Sequence, residues 1–222
     1  MARTLLVVDS LSDWSPYYPS DQVITFETYL ATEQEASEHR VRIINLCNSY
    51  SYLSDGYYCS LLAEARGHHV IPSVKVLNDL GKKALYQLQL DDLSQTFEKV
   101  FKDQNKNEEI KVLSYFGSTK DVVFQDLTRL LFERFSCPIM EVTLRYGQQW
   151  EVTDLRAVSH RDLDDENETL FAEALDKFSK KVWRKGRARK AARYDLAILV
   201  NPSEALPPSN RGALKKFISI GR

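Results

Sequence analysis

The chain of 222 residues has little cysteine and no cysteine motif. Its three cysteines, Cys47, Cys59 and Cys137, follow neither a CxxC pattern nor the spacing of a structural zinc site. Two of them lie in segments with periodic apolar residues, where buried thiols are common. We therefore expect reduced cytosolic thiols.

A strong net charge and a long apolar run are also missing. The 30 Lys and Arg residues nearly balance the 31 Asp and Glu residues, and the pI is about 6.4. Nucleic acid is therefore not indicated as a partner, and neither is a disordered acidic chain. No stretch approaches the roughly 18 apolar residues of a membrane span, and the first apolar run is too short for a signal peptide. We expect a cytoplasmic protein without a membrane partner.

Familiar catalytic patterns are absent too. The four histidines, including His160, have no metal-ligand spacing, and no carboxylate set completes one, so we expect no metal site. There is no G-x-S-x-G elbow, and no Cys–His pair follows from residue order. The segment "FGSTKD" (116–121) resembles the end of a phosphate loop but lacks its spacing, and a strand followed by Gly and a helix cap explains it. An independent hydrolase or transferase has no nucleophile to support it.

The sequence does contain alternating strand-like and helical segments. Apolar runs predict strands at 4–9, 40–48, 68–76 and 110–117, and a strand that runs into a helical turn at 23–30. Apolar stripes predict helices from near Ser54, at 84–102, at 121–135 and after an acidic patch at 162–168, which is either a helix start or an ion site. The order of segments between 40 and 76 favours a parallel strand pair, and residues 138–160 favour a hairpin with one solvent-facing side.

These patterns predict an α/β fold class for residues 1–185, as an α+β mixed sheet with flanking helices. The run 180–193 has eight basic and no acidic residues. We interpret it as a helix end followed by a basic linker at 186–193, with phosphate contact as the alternative. Residues 194–222 read as a strand and a helix of a second, incomplete α/β unit, so we expect a longer parent protein.

The segment "SYSYLSDGYYCSLLAEARG" (49–67) crowds tyrosines between a strand and a helix. Open α/β sheets bind ligands at such strand ends. The tyrosines form a packing device, a ligand pocket or an interface. Tyr57 and Tyr58 suit packing on a helix stripe, whereas Tyr50 and Tyr52 precede the helix and are not explained in that way.

The start of this helix has its own pattern. Ser54 is a good N-cap, Asp55 adds negative charge to the first turn, and Gly56 keeps the helix start free of side-chain bulk. Glu64 and Arg66 lie two residues apart and cannot face each other, so they are caps or pair elsewhere. The candidate ligand-binding residues are Asn45, Tyr50, Tyr52, Ser54, Asp55, Gly56, Tyr57, Tyr58, Glu64 and Arg66. Secondary candidates are Pro208, Ser209 and Asn210.

Two blocks carry a resemblance to a known family. "NLCNSYSYLSDGYYCSLLAEARGHHVIPS" (45–73) and "YDLAILVNPSEALPPSNRGALKKFI" (194–218) resemble the domain that precedes the ATP-grasp module in RimK-like ligases. The resemblance implies an α+β domain at 1–185 and the start of a pre-ATP-grasp lobe at 194–222. It also implies ligation of amino acids or peptides, in which ATP activates a carboxylate as an acyl phosphate and an amine attacks.

The same resemblance implies where the chemistry takes place. ATP, Mg²⁺ and the catalytic residues are expected in ATP-grasp lobes after residue 222, so this chain alone is expected to bind no cofactor, to contain no catalytic residue and to be inactive. Its expected partners are an ATP-grasp domain in the same protein and an amino-acid or peptide substrate, and a homo-oligomer is left open. The alternative is a stand-alone binding module for a ribosomal, RNA or protein partner, which would use the basic run.

Overall fold

The computed structural model describes residues 3–14, 17, 21–32, 41–90 and 109–180. The chain divides into two compact units, Met1–Lys181 and Val182–Arg222. The end of the predicted helix at 84–102, the basic run and the predicted second α/β unit lie outside the described residues, as do Pro208, Ser209 and Asn210. No helix in the described ranges is long and apolar enough to cross a membrane.

A parallel sheet forms from the first strands of the chain. Its strands are β1 (Thr4–Val8), β2 (Val23–Thr25), β3 (Arg42–Asn45) and β4 (His69–Ile71), in the order β2–β1–β3–β4. All three pairings are parallel, which confirms the predicted parallel pair. The chain adds β2 on one side of β1 and then β3 on the other. The carboxyl ends of β1 and β3 therefore flank the crevice where sheets of this kind bind ligands.

Helices follow the strands of this sheet, and the side chains of Thr25, Ser54 and Ser73 cap the first three of them. They are α1 (Phe26–Ala31), α2 (Asp55–Ala65), α3 (Val74–Leu80) and α4 (Lys83–Leu90). Ser54 accepts a hydrogen bond from the backbone N–H of Tyr57, so its predicted N-cap role is confirmed. The predicted strand at 68–76 is wrong after Ile71, because Pro72 has no N–H for a strand ladder and Ser73 caps α3.

An antiparallel sheet forms in the second half of the described chain. Its strands are β5 (Ile110–Tyr115), β6 (Ile139–Tyr146) and β7 (Trp150–Ala157), so the predicted hairpin is confirmed. One face is buried, with fully covered Met140, Val142 and Leu144, and packs against residues of α3, α4 and α5 (Gln125–Arg134). The other face carries polar and charged residues such as Lys111, Glu141 and Arg156, while Tyr115 and Ile139 at one end are buried.

Two predicted helices in this part of the chain begin in different ways. The predicted helix 121–135 begins as a 3₁₀ turn, Val122–Phe124, which buries Phe124 and leaves Val123 50% exposed. The acidic patch lies at and just before the first turn of α6 (Asp165–Lys180), as expected for a helix start. The mixed α/β fold class is confirmed.

Candidate functional site

Buried hydrogen bonds organise the loop between β3 and α2. The side chain of Asn45 is fully buried; its Nδ2 donates to the Gly56 carbonyl at 2.6 Å and to Ser60 Oγ at 2.9 Å. Its Oδ1 accepts from the Cys47 N–H at 3.1 Å. The hydroxyl of Tyr50 donates to the Asn45 carbonyl at 2.8 Å. Asn45 and Tyr50 therefore hold the strand end, the loop and the helix together.

The first turn of α2 lies very close to the same loop. Ser54 Oγ donates to the Ser49 carbonyl at 2.8 Å, which fixes the loop against the helix start. A Cβ atom on Gly56 would lie 2.3 Å from the Ser49 oxygen, far inside van der Waals contact. Ser54 and Gly56 thus have structural contacts, while Asp55 is exposed in the first turn.

The tyrosines of this segment divide differently from the prediction. The buried face of α2 consists of Gly56, Cys59, Ser60 and Ala63. Tyr58 is 41% exposed, so it does not lie in the core as the packing alternative allowed, and Tyr57 is half-buried. Tyr52 is 74% exposed and meets the Tyr57 ring edge-on at 5.2 Å between centroids. A ligand or interface role for this exposed aromatic surface stays a prediction.

Glu64 and Arg66 cap neighbouring helices, which was one of the two alternatives. Glu64 Oε1 accepts from the N–H of Val74 at the start of α3, at 2.9 Å. The Arg66 guanidinium donates to three carbonyls at the end of α1, those of Tyr29, Leu30 and Thr32, at 2.6 to 3.2 Å. A cation at a helix C-terminus satisfies carbonyls that the helix leaves unpaired.

A second group of polar residues gathers at the crevice between β1 and β3. Asp9 follows β1, and its Oδ2 accepts from the backbone N–H of Asn48, which follows β3, at 2.8 Å. The Asn48 side chain donates to Asp13 Oδ2 at 3.1 Å and accepts from Ser159 Oγ at 3.1 Å. Asn48 thus connects both strand ends to the segment after β7. We call Asp9, Asp13, Tyr17, Asn48, Ser159 and His160 the switch-point cluster.

His160 is the most deeply buried titratable residue of this cluster. Its side chain is 2% exposed and lies among the rings of Trp14, Tyr17 and Phe171, with centroids 6.2 to 6.5 Å away. Neither ring nitrogen has a hydrogen-bond partner of ordinary geometry among the described residues. Burial lowers the pKa of His160, and the backbone of Asp13 and the nearby carboxylates partly offset this. The imidazole is therefore neutral at pH 7.

Two other buried polar atoms of the cluster are also unpaired within the described part of the chain. They are Asp9 Oδ1 and the Tyr17 hydroxyl. Burial raises the pKa of Tyr17, and Glu168 raises it further, so the phenol stays protonated. The Asp13 side chain is 7% exposed, and its only ion pair in the described residues is a 3.7 Å contact with the exposed Arg161. The cluster therefore combines excess negative charge with unused hydrogen-bonding atoms.

The described residues contain no group of three or more His, Cys, Asp or Glu placed to hold a metal ion. In "FGSTKD", Phe116 and Gly117 form a tight turn between Tyr115 and Ser118, whose backbones exchange two hydrogen bonds. The Gly117 carbonyl accepts from Gln125 and Thr128, so this turn anchors α5.

An open depression of about 430 Å³ also lies on the solvent-facing side of the antiparallel sheet. Four of its six charged residues form ion pairs: Arg145 with Glu109 at 2.6 Å and Arg156 with Glu141 at 2.9 Å. Such exposed pairs are satisfied by each other and by water. This surface is therefore a weaker candidate for a ligand site than the switch-point cluster.

Sequence reasoning missed the switch-point cluster. Its detectable signal was polar residues directly after two buried strands, Asp9 and Asn48, since parallel strand ends meet at one edge. No pattern indicated that Ser159, 111 residues after Asn48, would join them. The predicted residue Asn45 lies close by in the chain, but it faces α2.

Comparison with known proteins gives one result that bears on the whole domain. No curated protein matches the chain. The sequence model of the RimK-like ATP-grasp N-terminal domain matches residues 26–174, which include β3, the tyrosine segment and both strands of the hairpin. The match covers most of the chain, and the chain therefore belongs to the RimK-like ATP-grasp N-terminal domain family.

Proposed function

We propose that this chain is the N-terminal substrate-positioning region of an ATP-dependent carboxylate–amine ligase that acts on amino acids or peptides. The observation that supports the proposal most is the switch-point cluster in a domain of this family. Polar residues converge there at the crevice between β1 and β3, and four of their buried atoms have no partner among the described residues. Such atoms are expected where a ligand completes the hydrogen bonding.

The chain's own contribution is binding and orientation. Asn48 uses its backbone and both ends of its side chain to fix Asp9, Asp13 and Ser159. Rings of Trp14, Tyr17 and Phe171 surround His160 and keep water from the imidazole. A few convergent polar groups beside apolar rings are the usual lining of a small-molecule site. Activation of the carboxylate by ATP would belong to the ATP-grasp lobes of the parent protein.

The test compares the 222-residue chain with the whole natural protein. Each is incubated with MgATP and a mixture of amino acids, while ADP release is measured and new amides are sought by mass spectrometry. We expect amino-acid-dependent ADP release and an amide product from the whole protein, and neither from the 222-residue chain. ADP release without an amide, or no turnover by the whole protein with any amino acid or dipeptide, would contradict the proposal.

A variant connects this activity to the cluster. Ser159→Ala removes the hydrogen bond to Asn48 and the cap bond from the Arg161 N–H without adding bulk, so we expect KM for the amino acid to rise severalfold with little change in kcat. Ser179→Ala is the matched control, because Ser179 is exposed and bonds only within its own helix in the described structure. If the two substitutions change KM equally, the cluster takes no part in substrate binding.

A further inference from the structure

The charge, the acceptors and the rings of the switch-point cluster favour one kind of chemical group. We propose that the cluster binds the primary ammonium group of an amino acid or peptide, with Asp9 Oδ1 and a ring nitrogen of His160 as its acceptors. This inference rests on the proposed function and specifies which part of the substrate the domain recognises.

The charges around the crevice are mostly negative. Asp9 and Asp13 bring two carboxylates into a largely buried site, and Glu168 lies close enough to Tyr17 to raise its pKa. The positive charge that the described residues supply is Arg161, whose guanidinium is 58% exposed and 3.7 Å from Asp13. Buried charge that is not paired is costly, so a ligand cation is stabilised here.

The unused atoms match the hydrogen-bonding needs of an ammonium group. An ammonium has three N–H donors and no acceptor. The cluster offers a carboxylate oxygen of Asp9, the unprotonated nitrogen of the neutral His160 and the lone pairs of the Tyr17 hydroxyl, all unpaired among the described residues. These three acceptors come from three segments of the chain and equal in number the three donors of an ammonium group. The rings of Tyr17 and His160 lie 6.2 Å apart between centroids.

The surrounding rings favour an organic cation. Trp14 and Tyr17 lie 4.5 Å apart between centroids, and ring faces attract ammonium groups. A divalent metal would need more carboxylate or imidazole ligands than the described residues bring together. An anion would meet two carboxylates and a guanidinium that already contacts Asp13.

The experiment measures binding directly, on the full 222-residue chain. The probe is glycinamide, which has a primary ammonium and no carboxylate, and the matched probe is N-acetylglycinamide, which has no positive charge. Both are titrated near pH 7, below the α-amino pKa of about 7.7–8.0, while nitrogen NMR follows the histidine rings. His160 is identified by comparison with the His160→Gln variant.

We expect saturable glycinamide binding that shifts the His160 ring signals, with no matching response to N-acetylglycinamide. Asp9→Asn should weaken glycinamide binding by roughly tenfold, because it removes a charged acceptor. Asp126→Asn is the control, since this exposed aspartate lies on α5 and should leave binding unchanged. Tyr17→Phe removes the hydroxyl and keeps the ring, so it tests whether the hydroxyl contributes to glycinamide binding.

Equal responses to the two probes, or equal binding by the wild type and a folded Asp9→Asn variant, would overturn the inference. If Asp9→Asn fails to fold, the difference between glycinamide and N-acetylglycinamide binding to the wild type still tests the inference. Glycinamide binding by a protein without ligase activity would contradict the proposed function alone. Ligase activity without glycinamide binding would contradict only the ammonium site.

Discussion

Gly56 is the residue at which the tyrosine segment should tolerate change least. It lies in the first turn of α2, directly against the loop that follows β3. A Cβ atom there would lie 2.3 Å from the Ser49 carbonyl oxygen and 3.0 Å from both Cys47 Cβ and the Tyr50 ring. Gly56→Ala therefore cannot be accommodated by rotating a flexible side chain, because the nearest atom belongs to the backbone.

The magnitude follows from two opposing effects. The Cβ–oxygen distance is about 1 Å short of ordinary contact, and overpacking of this kind costs about 1–3 kcal/mol, with a backbone obstacle at the upper end. Alanine gains up to about 1 kcal/mol over glycine from helix propensity. We therefore expect the free energy of unfolding to fall by about 2 kcal/mol. For a protein of this size that lowers the melting temperature by about 4–8 °C.

Urea denaturation followed by far-UV circular dichroism measures this loss, and a thermal melt checks it. Gly147→Ala is the matched control, because a Cβ atom on Gly147 would meet nothing within 4 Å. Its stability should stay within about 0.5 kcal/mol of the wild type. If Gly56→Ala is as stable as Gly147→Ala, the Ser49 carbonyl does not lie where the structure places it, and the packing role of the Ser-Asp-Gly motif fails.

Two other changes test the polar interior. Asn45→Ala leaves the Gly56 carbonyl and the Cys47 N–H without their partner, so we expect a loss of about 2 kcal/mol in urea denaturation, larger than for the exposed Tyr52→Ser. For His160, burial lowers the folded-state pKa below 6.5, so its contribution to stability is present above pH 6.5 and is lost as pH falls towards the lowered pKa. The neighbouring charges are Asp13, Asp9 and Arg161. His160→Gln should reduce the loss of stability between about pH 7 and pH 5 measured by urea midpoints, and an unchanged pH dependence would contradict a buried neutral imidazole.

Local sequence signals predicted those helices and strands well whose formation depends on residues within the same segment. The Ser54 cap, the strand at 110–117 and the hairpin at 138–160 each follow from neighbouring residues, and the structure contains all three. The strand predicted at 68–76 ends early, at Ile71, for an equally local reason. Pro72 and the Ser73 cap were visible in the sequence, but the prediction followed the apolar run, which continues past them.

Side-chain burial on α2 was harder to predict, because it depends on what lies beside the helix. Tyr57 and Tyr58 have the spacing of an apolar stripe, yet the face turned to the sheet consists of small residues, including Cys59 and Ala63. Small residues allow the helix to approach the sheet closely, and the tyrosines are left at the edge and outside. Residue type alone favoured the larger side chains for the core.

The switch-point cluster depends on sheet order, which the sequence did not reveal. Asp9 and Asn48 were visible as polar residues after strands, but only the order β2–β1–β3–β4 places these strand ends side by side. His160 comes to the same crevice from the second sheet, across more than 100 residues, as the Ser159–Asn48 hydrogen bond shows. Contacts of that sequence separation follow from the topology of the whole domain.

The tyrosine segment and the switch-point cluster meet at the loop after β3. Asn45 and Tyr50 fix that loop from inside, and Gly56 lets α2 approach it, with Asn48 held between them. Because Asn48 contacts Asp9, Asp13 and Ser159, a displaced loop moves the group that holds the cluster together. Gly56→Ala should therefore weaken glycinamide binding under conditions where the variant is fully folded, whereas Gly147→Ala should leave binding unchanged. If the folded Gly56→Ala variant binds glycinamide as the wild type does, the segment stabilises the domain and has no part in positioning the cluster.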